Sequence, residues 1–404
     1  MKMNTVIKND TDNHIACNNS AWIPPEKPIM LDESNGWHQS GPLIDGFYSM
    51  YQPEVIYAPD RDVEGGYPYL MWFFAWAYTQ ENDPAENYSG YPGGDAVFHA
   101  RAKDPLGPWE VYSKGEDGQT FWDTQKQTRL WYPVLLCQDT WYDSWHVGDP
   151  SIVYNNGTFY MAYSSMGADV DGIPYHKEGD TDGNSSCIMG AISTDGINWQ
   201  RSSAPLIVWE HEKGYDEIRH PEGYMGGHQR PSLMLEDGKW KMWYDYKYCL
   251  IGYAECEGDF LDPTAWHELY GGDAPLMQSV DLDVIKIGDV YYGWADPYVS
   301  WVGIKDDRIP LHKDDASRWS QRQIVEYQSA DGLKWYPSGY FLPDEGYDAI
   351  QIPQAFIDHK QGRVYVYYAT QRGKRESRQY DWRWDSIRCR YRDIREFESK
   401  KDRG

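Results

Sequence analysis

Cysteine is scarce in this 404-residue chain. The six present (Cys17, Cys137, Cys187, Cys249, Cys256 and Cys389) lie far apart. No two share a C-x-x-C spacing, which excludes a zinc knuckle and a dithiol redox motif, and they are too few for a disulfide scaffold. Long apolar runs are missing as well. None reaches the 18 residues of a spanning helix, and the polar start Met1–His14 is followed by no apolar export core. The expectation is a cytoplasmic protein without a membrane partner. Positive charge is in short supply: 38 Lys and Arg face 63 Asp and Glu, for a net charge of -25. A general nucleic-acid binder or an anionic-membrane anchor would carry a basic face, so neither class fits.

What the chain has in abundance is aromatic rings: 34 Tyr, 20 Trp and 10 Phe, 16% of all residues. Tyr and Trp join an apolar face to a polar tip and can line a groove for a polyhydroxylated ligand. A hydrophobic content of 41% excludes disorder.

One short unit recurs: a polar opening, an apolar strand, a turn, a strand rich in Tyr and Trp, a third strand, and a turn that usually carries Asp and ends in Trp. The clearest copy runs Asp149-Pro150-Ser151-Ile152-Val153-Tyr154, the hairpin signal Asn155-Asn156-Gly157, Phe159–Tyr163, Ile188–Ser193 and Thr194–Trp199. Other copies open at Gln52-Pro53-Glu54, Arg230-Pro231-Ser232, Asp281-Leu282-Asp283 and Ile352-Pro353-Gln354. Aligned at Glu54, Ser151, Ser232, Asp283 and Gln354, the five openings stand about 75 residues apart. Four strands with long loops fill that period, and radial stacking buries the faces that a lone four-stranded sheet would leave bare. The expected fold is therefore all-β, a five-bladed β-propeller of four-stranded antiparallel blades over 46–404. Residues 1–45 fall outside the repeat and read as an arm over the rim.

In a propeller the blade openings converge on one face of a central channel, so chemistry is sought there. The openings are polar: Gln52 and Glu54; His146 and Asp149; His228, Gln229 and Arg230; Asp281 and Asp283; Gln351 and Gln354. Converging charges cost free energy unless paired or used. Turn capping alone would explain one Asp-Pro; the combined set favours function. Trp141, Tyr142 and Trp145 before Asp149, and Tyr48 and Tyr51 before Glu54, suit sugar stacking, while inter-blade packing accounts for most other rings. His146 and His228 could bind hydroxyls, serve as an acid, ligate a structural cation in the channel, or be ordinary packed side chains. Arg230 could bind an anion or form an internal salt bridge. The insertions 79–94, 167–186 and 297–322 are candidate substrate-selecting loops.

Five repeats, the Asp149-Pro150 opening and the Ser193–Trp199 style of turn resemble the five-bladed propeller glycoside hydrolases, the superfamily of families 43, 32, 62, 117 and 130, over residues 46–397. The resemblance implies three acids at the mouth, acting as base or nucleophile, as modulator and as acid. Asp149 matches the modulator. The blade I Asp before Pro is replaced by Gln52, which leaves Glu54 as the nearest carboxylate. The usual blade III Glu is replaced by Gln229, which leaves Glu222 upstream. Asp281 and Asp283 sit in blade IV. The catalytic candidates are thus Asp149, Glu54, Asp283 and Glu222; the sugar-binding candidates are Gln52, Trp145, His146, His228, Gln229, Arg230, Asp281 and Gln354. These departures from pattern point to a divergent member.

Glycoside hydrolysis needs one protonated and one ionised carboxyl, roughly 6.5–9.5 Å apart for inversion and about 5–5.5 Å for retention. The expectation is an exo-acting, inverting glycosidase for oligosaccharides of plant or algal polysaccharides. No cofactor is expected and no residue is assigned to a metal, although the resemblance allows a structural Ca2+ in the channel; a homo-oligomer is left open. The alternatives are a phosphorylase, which needs a basic phosphate pocket, and a non-catalytic sugar-binding propeller, which would have its acids salt-bridged or far apart.

Overall fold

The computed structural model describes residues 23–47, 50–61, 66–75, 95–138, 140, 142–143, 146–166, 169–170, 173–174, 186–207, 227–246, 249–271, 274–309, 322–371 and 384–398. The chain forms five sheets set around a central channel, with the innermost strands Tyr51–Tyr57, His146–Asn155, His228–Glu236, Asp283–Ile287 and Ala349–Asp358 contributed by blades I to V. Each continues through a second strand (Tyr69–Ala75, Thr158–Met166, Lys239–Tyr246, Val290–Ala295, Arg363–Gln371) and a third, antiparallel throughout. The turns obey local chemistry: Asn156-Gly157 and Asp237-Gly238 both hold positive φ at two successive residues, the geometry that a two-residue hairpin needs.

The blades have four to six strands rather than four each. Blade I adds Leu135–Leu136 to its third strand, and blade III adds Met277–Gln278 in the same way. The N-terminal segment supplies two more. Ile29–Met30 runs parallel to Gly339–Tyr340 on the outer edge of blade IV. His38–Gln39 pairs with Arg390 and Tyr391 to complete blade V as its fourth strand. The arm is therefore woven into the ring. Trp37, buried between these two strands, meets Trp294, Phe341 and Phe397 edge-on at 6.3, 4.9 and 5.9 Å.

A large buried apolar cluster lies between each pair of neighbouring blades, including the pair I and V that closes the circle. This is why the second strands are so aromatic: both faces of each sheet are interior. Two of the Asp-Gly turns dock directly on a neighbour. Ser193 and Asp195 fold their turn by accepting the N–H groups of Gly196 (2.8 Å), Ile197 (2.9 Å) and Asn198 (2.7 Å). This presents the Gly196 carbonyl to Trp72 Nε1 of blade I at 2.9 Å. Blade IV repeats the device: the Gly332 carbonyl accepts from Trp243 Nε1 of blade III at 2.8 Å.

Gly196 has φ 75° and lies against Trp72, where an added Cβ would come within 2.6 Å of Cζ2. Gly157 has φ 82° and open space around it. Gly196→Ala should therefore cost about 2–4 kcal/mol and Gly157→Ala only about 1 kcal/mol in urea denaturation. Equal losses would show that the turn does not bear on Trp72.

Candidate active site at the channel mouth

Every blade enters the channel through the same backbone irregularity. Gln52, Asp149, Arg230, Asp281 and Ile352 occupy equivalent positions, and all have φ between 49° and 57°. Left-handed backbone is unfavourable for these residue types, about 1–3 kcal/mol each, and such strain persists only where surrounding contacts enforce it. In blades I, II, III and V the residue falls in a register shift of the inner strand, a β-bulge. The Pro that follows in those four lacks an N–H, so the interrupted ladder strands no donor there.

Two rings of inter-blade hydrogen bonds hold these openings. The lower ring uses the residue two positions further on. Glu54 accepts from Ser151 and the Ile152 N–H. Ser151 Oγ accepts the Leu233 N–H at 3.0 Å, Ser232 Oγ the Val284 N–H at 2.9 Å, and Asp283 Oδ2 the Ala355 N–H at 2.6 Å. Blades I to IV thus each hand one acceptor to the next, while Gln354 Oε1 of blade V is buried without a hydrogen-bond partner. The upper ring catches the strained residues themselves. Ser164 Oγ accepts the Arg230 N–H at 2.7 Å, Asp245 the Asp281 N–H at 2.9 Å, and Asp296 the Ile352 N–H at 3.0 Å. At the position equivalent to Ser164, Asp245 and Asp296, blades I and V carry Phe74 and Ala369, so the upper ring is interrupted there.

Ion pairs follow the same asymmetry. Arg230 Nε lies 2.9 Å from Asp281 Oδ1 and its Nη1 3.6 Å from Asp245 Oδ2. Arg322 bridges Asp281 and Asp296, at 2.5 Å to each. Burial, joined by the charge of Asp281, pushes the Asp245 carboxyl well up against the opposing pull of Arg230. Blades III to V are therefore knit together by two arginines among three carboxylates, leaving neither guanidinium aimed at a bound anion.

The blade I–II side is different. Among the described residues, Asp149 Oδ1 and Gln52 Oε1 are buried without a hydrogen-bond partner, as is Gln354 Oε1 of blade V, the neighbour of blade I on its other side. An unmet buried acceptor costs about 1–3 kcal/mol, so this side is suited to a ligand that brings donors. The other Asp149 oxygen lies 3.9 Å from His146 Nε2, and His146 Nδ1 lies 2.6 Å from Asp95 Oδ2. Burial opposes charge on the imidazole, but Asp95 and Asp149 outweigh it and raise the ring to about 9. Burial likewise opposes charge on Asp149, and is outweighed by His146, Arg230 and Ser164, which hold the carboxyl below its usual range. At neutral pH the pair is an imidazolium beside an ionised carboxylate.

The other expected residues divide by location. Glu54 and Asp283 sit in the lower ring at the top of a channel cavity of about 490 Å3, with their oxygens turned to neighbouring blades. Gln354 holds the equivalent place in blade V. Burial followed by the charge of Asp283 drives Glu54 well up, and burial raises Asp283 to about 6. Asp281 is held by both arginines. His228 turns toward Glu268 on the fourth strand of its own blade, at 3.1 Å, and Gln229 donates to Ser186 at 2.9 Å. Tyr51 is buried against Phe74 rather than forming a wall. Tyr142 donates to the Ser203 carbonyl. Glu222, Trp145, Trp141 and Tyr48 lie outside the described residues, as do the insertion 79–94, most of 167–186, and 310–321 of the third. Among the described residues no group of three or more His, Cys, Asp or Glu side chains is placed to hold a metal ion. Asp95, Ser164, Asp245, Asp296 and Arg322 were not singled out in the sequence. Three of them, Ser164, Asp245 and Asp296, share a signal, a polar residue at the end of the second strand thirteen positions after Ser151, Ser232 and Asp283.

The fold has solved counterparts. One, described as a complex of BT0996 with RGII, is 14% identical over 88% of this chain and 91% of its own, with a TM-score of 0.52. Another, described as a glycoside hydrolase, is 13% identical over 87% and 90%, with a TM-score of 0.50. This is the fold of the five-bladed propeller glycoside hydrolases. A family 117 glycoside hydrolase from the marine bacterium Zobellia galactanivorans is 14% identical over 91% and 89%, at 0.48. No protein-family model matches the sequence, and no curated protein does.

The lower ring has a pH signature. Asp283 binds its proton more tightly folded than unfolded, about 6 against an ordinary carboxylate near 3.9. Its contribution is therefore fully present below pH ~4 and is lost as pH rises through 6, on the order of 2–3 kcal/mol. Asp283→Asn should flatten the fall in chemical-denaturation stability between pH 4 and 7. An unchanged slope would place that titration elsewhere.

Proposed function

We propose that the protein is a glycoside hydrolase, exo-acting and inverting, that removes a sugar from oligosaccharides of plant or algal polysaccharides. The observation that carries this reading is the buried, ionised Asp149 carboxylate with one oxygen unpartnered at the mouth of the channel. A sugar ring supplies the hydroxyl donors that Asp149 Oδ1 and Gln52 Oε1 lack. An ionised carboxylate stabilises the positive charge that builds on the ring as the glycosidic bond breaks.

Asp149 is the ionised member of the pair and takes the proton of the attacking water. Glu222, the nearest acid upstream of the blade III opening, is the proposed proton donor to the leaving oxygen. Glu54 and Asp283, whose oxygens the lower ring occupies, act beneath the site by keeping its strands in place. The geometry argues against the phosphorylase reading, because Arg230 is engaged by Asp281 and Asp245. One feature favours a sugar-binding propeller without turnover: Gln52 stands where a blade I carboxylate would act as base.

The experiment is a screen of the purified protein on aryl glycosides and on plant and algal oligosaccharides, with and without phosphate, with the product anomer followed by NMR. Asp149→Asn and Glu222→Gln should each lower kcat by about 10^2–10^4-fold. Undiminished turnover in Asp149→Asn would remove that residue from the chemistry. Saturable sugar binding with no turnover would decide for the binding reading, and turnover only with phosphate for the phosphorylase.

A further inference from the structure

The Asp149 carboxylate is only as well placed as the imidazole beside it, and two contacts fix that imidazole. Asp95 Oδ2 holds Nδ1 at 2.6 Å. The ring of Phe74 packs on the His146 ring with centroids 5.3 Å apart. Gly148 leaves room beneath: a Cβ there would meet Phe74 at 2.5 Å and His146 Cε1 at 2.9 Å. Asp95 directly precedes the third strand of blade I, Ala96–Ala102, whose first two residues pair with Ala75 and Phe74 on one side and with Leu136 and Leu135 on the other. The contact therefore crosses the blade I–II junction from a rigid ladder.

We propose that Asp95 is a positioning residue of the candidate site: by accepting the Nδ1 proton of His146 it sets the ring so that Nε2 and its proton face Asp149. This deepens the hydrolase reading and rests on it only where turnover is concerned. The chemistry follows from the two ring nitrogens. With Nδ1–H bound by a carboxylate, the ring cannot turn over, and the second proton stays on Nε2. The charged and titratable groups around the ring are Asp95 from blade I, Asp149 on its own strand, Arg230 of blade III beyond Asp149, and the Cys137 thiol near Asp95. Cys137 is pushed up by burial and stays neutral, so the two carboxylates decide the charge of the ring. Among the described residues, no other side chain reaches Nδ1.

The test is a pH titration of the His146 ring by NMR on histidine-labelled full-length protein, with the resonance assigned from its loss in His146→Gln. The wild-type ring should titrate well above 6.5. In Asp95→Asn it should titrate about one pH unit or more lower, and Asp95→Glu should recover part of the shift. With a turned-over sugar in hand, the alkaline limb of kcat should move to lower pH in Asp95→Asn, with KM little changed. A wild-type ring that titrates at or below 6.5, or a folded Asp95→Asn protein whose ring titrates as wild type, would overturn the proposal. The ring titration is read without substrate, so it stands or falls apart from any failure to find turnover.

Discussion

The ring depends on a hydrogen bond that each of the first four inner strands passes to the next. Apolar contact between blades is non-directional and would tolerate sliding of one sheet on another. The acceptors at Glu54, Ser151, Ser232 and Asp283 each take an N–H one residue past the equivalent point of the following blade. They fix the height of every inner strand, and with it the height of every strained residue at the mouth. A carboxylate in this role is expensive to bury, and its raised pKa is the mark of that expense.

Much of the architecture can be read directly from the sequence, because it is written in local periodicity. The alignment of openings at Glu54, Ser151, Ser232, Asp283 and Gln354 coincides with the lower ring residue for residue, and the hairpin at Asn156-Gly157 forms where its turn chemistry demands. What local pattern cannot carry is direction. A carboxylate two residues past a bulge could face the channel mouth or the backbone of the neighbouring blade, and nothing near Glu54 or Asp283 in the chain decides between them. Asp95, Arg322 and Asp296 matter because they meet His146, Asp281 and Ile352, from which they are separated by tens of residues. The outer strands Ile29–Met30 and His38–Gln39 are two residues long, too short to show any period.

The mouth is electrostatically lopsided. On the side of blades III to V the buried charges are mutually satisfied, and removing any one partner would leave another exposed to a low-dielectric surround. On the side of blades I and II the protein keeps an ionised oxygen without a donor and a left-handed backbone beneath it. Unspent polar capacity next to stored backbone strain is the arrangement expected of a place that meets a ligand rather than of a joint between sheets.

The pairing of His38–Gln39 with Arg390 and Tyr391 has a consequence for assembly. The strand that finishes blade V is synthesised before any of the five blades, and its partner after all the other strands of the ring. Completing blade V therefore needs segments from both ends of the ring sequence, with a very long loop to close. Until it happens, the unpaired edge of blade V is the place where the nascent protein is most exposed to pairing with a second copy of itself.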